Sequence, residues 1–500
     1  MKTVKQWAIV LSAVVLLISS MGGCGKSQEN SSGSTSLGSN NSNSSSTDTG
    51  DTDPNNSDPT VGNGESSGST NAGGGTTVTG GNSGKTGSST TKNPGPSTTA
   101  TAAPGKLDMK GYEFVLGTAY YGNYLNADGV LDPTNPMIKA IAKVEKDYNC
   151  KVKFYRFADI GQAGQAIVNS VMSGEKLCDV AQVQFSRART VAYQDASHNL
   201  KTLKGLDLSK NFEKAMTEAF TFNNKVYACN FGNNDNVQGL FFNQDLIKKY
   251  VPNYNIYDLY KKGQWTEAKF EEILRKIATA SGNKVTPLSG TTGTLAMSTA
   301  VNAGGTSYKS GNKVTFGIVT TNGVKALNYV KRLYNDKLWK YPLDNSFATG
   351  GAVFVDGAVW QHKNYTNVAN MGWVPWPKGD LGKYVVPAAD GIAWCVPKTV
   401  KKKDYVGVIL NALAEGGAQI MEQNIMKLED NGWNKDAIDV YKWMQNNHQI
   451  DMTTGPDIAR FSEAIDKSVF TASIQPAAAM EGIRAASQKA FDDYYSKFIR

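Results

Sequence analysis

Lys2 and Lys5 lead into a single apolar run over residues 8–18. It is shorter than the roughly 20 residues a membrane-spanning helix needs and has the length of the hydrophobic region of an export signal. Over residues 25–106 no apolar period appears, only Ser, Gly, Thr and Asn with scattered Pro, so this stretch has nothing with which to build a core. The pattern changes near Leu107. Residues 113–118 read as a strand, and residues 136–144 have helical spacing with Pro136 at the start. Residues 151–155 read as a second strand, 164–172 as helical again and 180–183 as a third strand. This alternation is the rhythm of a parallel α/β sheet, whose ligands bind outside the carboxyl ends of the strands. Residues 107–500 are enough for two lobes of roughly 150–200 residues each.

The apolar run closes on Ser20-Met21-Gly22-Gly23-Cys24, which resembles the lipobox of bacterial lipoproteins, with Met21 where Leu is usual. The resemblance implies a signal peptide over 1–23, cleaved before Cys24, and acyl chains on Cys24. The alternative is an ordinary secretory signal with an incidental cysteine. Each buried lipid methylene contributes about 0.8 kcal/mol, so several acyl chains hold a soluble module at a membrane without a spanning helix. The Ser/Gly-rich segment 24–106, about 80 residues long, then acts as a flexible tether with a reach of roughly 50 Å. Such a tether suits the extracellular face of a Gram-positive envelope.

The formal net charge is +8, yet no Lys/Arg block is denser than Lys401-Lys402-Lys403, so the charge reads as an ordinary solvated surface and no nucleic-acid partner is expected. Cys150, Cys178, Cys229 and Cys395 are widely spaced in apolar stretches and read as small buried side chains, although the compartment would permit a disulfide. The histidines are His198, His362 and His448, and there is no H-E-x-x-H, G-x-S-x-G, Walker loop or Cys/His metal pattern. No catalytic residue, metal or cofactor is therefore expected. Spacing alone does not test for a glycosidase carboxylate pair.

Several later stretches resemble, in order, motifs of the extracellular solute-binding proteins of ABC importers, in particular the sugar-binding group related to maltose-binding protein. Asn224-Lys225-Val226-Tyr227-Ala228 resembles the GKVYALP strand, residues 239–246 resemble GLFYNKDLF, and Gln264-Trp265-Thr266 opens a TWDEF-like helix. Residues 347–354 with Gly357 and Trp360 follow the F..GKAAM...G.W pattern. Residues 371–377 match G..P.P, and residues 390–398 match the returning strand. The resemblance implies a two-lobed periplasmic-binding-protein-like (type II) α/β fold with a hinge, crossed near 231–237 and again near 389–393. The first lobe would take 107–232 and 393–440, the second 237–388 and 441–500. It also implies a monomeric receptor that closes on a solute and docks on ABC permease subunits.

A sugar presents hydroxyls around an apolar face, so its site needs rings for the face and carboxylates or amides for the hydroxyls. Tyr120, Tyr121 and Tyr124 follow the first strand, for a binding, surface or lid role. Gln184 and Phe185 end the third strand, as ligand contacts or core. Trp360 matches the family tryptophan that commonly stacks on ligand. Asn234 and Asp235 lie on the first crossing, Asp390 and Trp394 on the second, and Trp433 is placed to line the far end of the cleft. Trp265 is assigned to structure, with Thr266 as a helix N-cap. The alternatives to a sugar receptor are a receptor for another solute such as a peptide, polyol or metal complex, or a surface adhesin or glycosidase.

Overall fold

The computed structural model describes residues 102, 103, 105–389, 391–453 and 455–499. The signal peptide, Cys24, nearly all of the tether and Asp390 lie outside the described residues. Along the described chain run β1 (Tyr112–Thr118), β2 (Cys150–Arg156), β3 (Val180–Gln184), the hairpin β4 (Thr221–Phe222) and β5 (Lys225–Val226), β6 (Gln238–Asn243) and β7 (Thr286–Ser289). These are followed by the hairpin β8 (Ser307–Ser310) and β9 (Lys313–Phe316), then β10 (Trp339–Lys340), β11 (Ala352–Ala358), β12 (Met371–Val374), β13 (Val386–Ala388), β14 (Ile392–Cys395) and β15 (His448–Ile450).

The first five elements fall where the hydrophobic pattern puts them. The helix Pro136–Tyr148 shows why its ends are fixed. Asn135 accepts the Met137 N–H, Pro136 occupies the first turn where its missing donor costs nothing, and Asn149 ends the helix in the left-handed region at φ 49°. Met137, Ile141 and Val144 form its buried face, each contributing about 1.5–3 kcal/mol by leaving water. They meet Phe114 and Leu116 of β1, both fully buried.

Two sheets result. The first has the order β14-β3-β1-β2. β1 runs parallel to both β2 and β3, as the rhythm predicts, whereas β14 is antiparallel to β3, with Ile392 opposite Gln184. The second has the order β10-β7-β11-β6-β12, in which β6 alone runs against its neighbours β11 and β12. Behind it, Thr266 caps the helix Glu267–Ser281 by accepting the Lys269 N–H, and the fully buried Trp265 donates its indole N–H to the Pro375 carbonyl at 2.9 Å.

Between the sheets the chain passes side by side. Val237 bridges Ala388, Cys229 bridges Trp394, and Ala388 lies opposite Ile450 in the β13–β15 ladder. The family resemblance implies two crossings, and the structure sets a third passage, β15, beside them. It follows the helix Lys435–Asn447, which packs on β12, while the preceding helix Gly417–Asp430 leans on Pro136–Tyr148 of the first sheet's layer. Cys150, Cys178, Cys229 and Cys395 are free and buried, and burial pushes the Cys150 thiol up to about 11 and the Cys395 thiol up to about 12.

Candidate functional site

The carboxyl ends of the strands define the cleft edge. On the first sheet, β1 leads into the turn Tyr121–Tyr124, β2 ends at Arg156 and β3 at Gln184. On the second, β11 leads into the turn Val359–Asn364. The Trp360 N–H donates to the Asp235 carbonyl at 3.2 Å, and the Val359 N–H to the Val237 carbonyl at 2.9 Å, which holds this turn against the first crossing. The Phe185 N–H donates to the Gly391 carbonyl at 2.6 Å, which holds the end of β3 against the second.

Five of the residues singled out from sequence are accessible on this edge. Tyr120, Tyr121, Gln184 and Trp360 are half-buried and Asp235 is exposed. The Arg156 guanidinium lies 3.5 Å over the Tyr121 ring, so that ring already carries a cation on one face. Asp235 is reached by solvent although protein surrounds its carboxyl, and that desolvation raises its pKa against the opposing pull of Lys363, His362 and Lys427.

The other five described residues are buried, so the expectation that they face a ligand is corrected by their packing. Tyr124, 5% exposed, donates its O–H to Gln182 Oε1 at 2.6 Å and packs on Phe154. Phe185 is covered by the Arg189 guanidinium at 3.9 Å and by Phe220 at 4.8 Å. Asn234 exchanges hydrogen bonds with the Gln445 amide through its backbone N–H and carbonyl, both at 2.9 Å. Trp394, 1% exposed, packs at a tilt against Phe231 with centroids 4.7 Å apart. Trp433 sits among Trp373, His362, Phe241 and Tyr441. Each of the five is buried against protein.

Sequence reasoning missed the cations. Arg156 ends β2, and Arg187 stands in the first turn of the helix Phe185–Tyr193 that follows β3, with its Nε buried and without a partner among the described residues. Arg187 lines a groove of about 640 Å³ with Ser186 and Thr190 on one side, and Pro456, Asp457 and Tyr494 on the other. Tyr193, which also lines the groove, stacks on Tyr494 with 4.9 Å between centroids. A position one turn past a sheet's carboxyl edge was the signal available for Arg187, but the search was confined to rings, amides and carboxylates. Among the described residues no group of three His, Cys, Asp or Glu side chains is placed to hold a metal, and no helix is long and apolar enough to cross a membrane.

No protein-family model matches the sequence, and no curated protein matches it significantly. Solved structures do match. A cyclic alpha-maltosyl-1,6-maltose binding protein from Arthrobacter globiformis aligns with a TM-score of 0.57 at 13% identity, over 77% of this chain and 100% of that one. A cyclo/maltodextrin-binding protein solved with maltotetraose gives 0.57 at 13% identity, over 77% and 98%. UgpB from Mycobacterium tuberculosis, solved with glycerophosphocholine, gives 0.54 at 13% identity over the same shares. At such identities the likeness speaks for the fold, and the chain has the two-lobed, hinged α/β architecture of the solute-binding proteins it matches.

Proposed function

We propose that this chain is a receptor held at the extracellular face of the membrane through a lipid on Cys24, which captures a sugar or oligosaccharide by closing two lobes over it and delivers it to an ABC import permease. In this reading it binds without turning the ligand over and acts as a monomer. The lobes are residues 107–232 with 393–440, and 237–388 with 441–500. The observation that carries the reading is the set of half-buried rings Tyr120, Tyr121 and Trp360 with the half-buried Gln184 and the exposed Asp235, of which Trp360, Gln184 and Asp235 lie at the crossings. Rings take the apolar face of a sugar, and the amide and carboxylate take its hydroxyls. Two or three stacked rings at about 0.5–1.5 kcal/mol each, with charge-assisted hydrogen bonds, are on the scale of micromolar binding, about 8 kcal/mol. A ligand that touches both lobes favours the closed form by its differential affinity.

Titration calorimetry of the full chain against oligosaccharides, amino acids, peptides and polyols tests the reading, with Trp360→Ala as the control. Micromolar binding of one glycan class, lost in the variant and without turnover, is the expected result. Arg156 and Arg187 on the same edge favour a second reading, a solute that carries a phosphate or carboxylate. The Mycobacterium tuberculosis neighbour holds a phosphodiester, which is of that kind. Silence across neutral sugars with a signal from an anionic solute would select this alternative.

A further inference from the structure

Beneath the crossings lies a polar group that takes no part in the cleft edge. Glu213 precedes the helix Lys214–Ala219, and His448 opens β15. Their side chains are 4% and 3% exposed, with His448 Nε2 2.6 Å from Glu213 Oε1. His448 Nδ1 lies 2.8 Å from the Gln445 carbonyl. Glu213 Oε2 accepts from Asn230 Nδ2 at 2.7 Å, and Oε1 also accepts from Asn234 Nδ2 at 3.1 Å. Through Asn234 and Gln445 the same network ties the first crossing to the third passage.

The donors and acceptors can be counted. A carbonyl only accepts, so His448 Nδ1 carries a proton. If the ring were neutral and Glu213 ionised, the lone pair of Nε2 would face a carboxylate oxygen at 2.6 Å in a buried, low-dielectric site, where an unmade hydrogen bond is costly. One more proton removes the conflict, whether written as imidazolium with carboxylate or as neutral imidazole with carboxylic acid. We infer that Glu213 and His448 share one proton that fastens the first lobe to the third passage. The inference rests on the hinge and is independent of what the cleft binds.

The surrounding groups leave this proton to the pair. Cys229, on the strand entering the first crossing, is the titratable neighbour of Glu213, and burial keeps its thiol protonated. Asp235 lies instead among Lys363, His362 and Lys427. Asp451, further along the third passage, is engaged by Thr453 and Ser307. Arg189 donates to the Asp451 and Met452 carbonyls.

The sequence has three histidines, so long-range 1H–15N spectra of the full chain labelled in His resolve every ring, and His448→Gln identifies the third. Burial lowers the pKa of His198 and His362 and leaves them neutral near pH 7.5. The expected result is that His448 alone has a proton on or shared by both nitrogens there. A second readout is the unfolding midpoint at that same pH: His448→Ala, which removes the donor to Glu213, should lower it at least about 2 °C more than His448→Gln, whose amide still donates. A bare His448 Nε2 near pH 7.5, or equal midpoints for the two variants, overturns the inference. If His448→Gln does not fold, Glu213→Gln takes its place: its amide donates to a neutral ring, so His448 Nε2 should lose its proton.

Discussion

The hinge and the cleft edge are built from the same kinds of residue and use them in opposite ways. In the hinge, Glu213, Asn230, Asn234, Gln445 and His448 are buried and bonded to one another within 3.1 Å. On the edge, Gln184, Trp360 and Arg187 are half-buried and Asp235 is exposed. A polar group taken out of water must be satisfied by protein, whereas one left at a solvent boundary keeps its capacity for a ligand. Burial and bonding, and not residue type, therefore separate residues that hold the fold from residues available for recognition.

Substitutions can test that separation. The largest effect is expected for Trp394→Ala, which deletes the buried ring packed against Phe231 at the second crossing. Calorimetric unfolding should show a loss of about 3–5 kcal/mol. Next comes Asp356, fully buried at the carboxyl end of β11, whose carboxyl is pushed up to about 6 by burial despite hydrogen bonds from Thr291. The folded state therefore binds this proton more tightly than the unfolded state, and stability falls as pH rises from about 4 through about 6. In Asp356→Asn that contribution, worth about 3 kcal/mol, should vanish from unfolding midpoints measured across this range. Retention of the full slope would mean that another group carries it. Smallest in stability is Trp360→Ala on the edge, expected to cost less than about 1 kcal/mol while binding of the ligand found by calorimetry drops tenfold or more. A large stability loss there would place Trp360 with the hinge residues and undo the comparison.

Much of the fold was legible because local patterns carry it. The alternation from β1 to β3 needs only periodicity and a cap such as Asn135. The site was legible only in part. In β14, Ala393, Trp394 and Cys395 are all buried, so no two-residue period marks which side Trp394 takes. Tyr124 belongs to the same aromatic loop after β1 as Tyr120, and the reach of its hydroxyl to Gln182 on the neighbouring strand goes with its burial. Glu213 and His448 belong to distant parts of the chain, and their meeting is a property of the third passage, which no local signal announces. Arg187 was within reach of sequence reasoning had cations been weighed with the rings.

β14 completes the first sheet beside β3 only after the whole second sheet has been made, since β6 to β12 lie between them in the chain. The first lobe is thus interrupted by the second as an insertion, and its edge stays unpaired until the chain has grown past Cys395. Closing so long a loop is entropically slow. A nascent chain of this topology remains unfinished until late in synthesis, and during that interval the open β3 edge is exposed to mispairing.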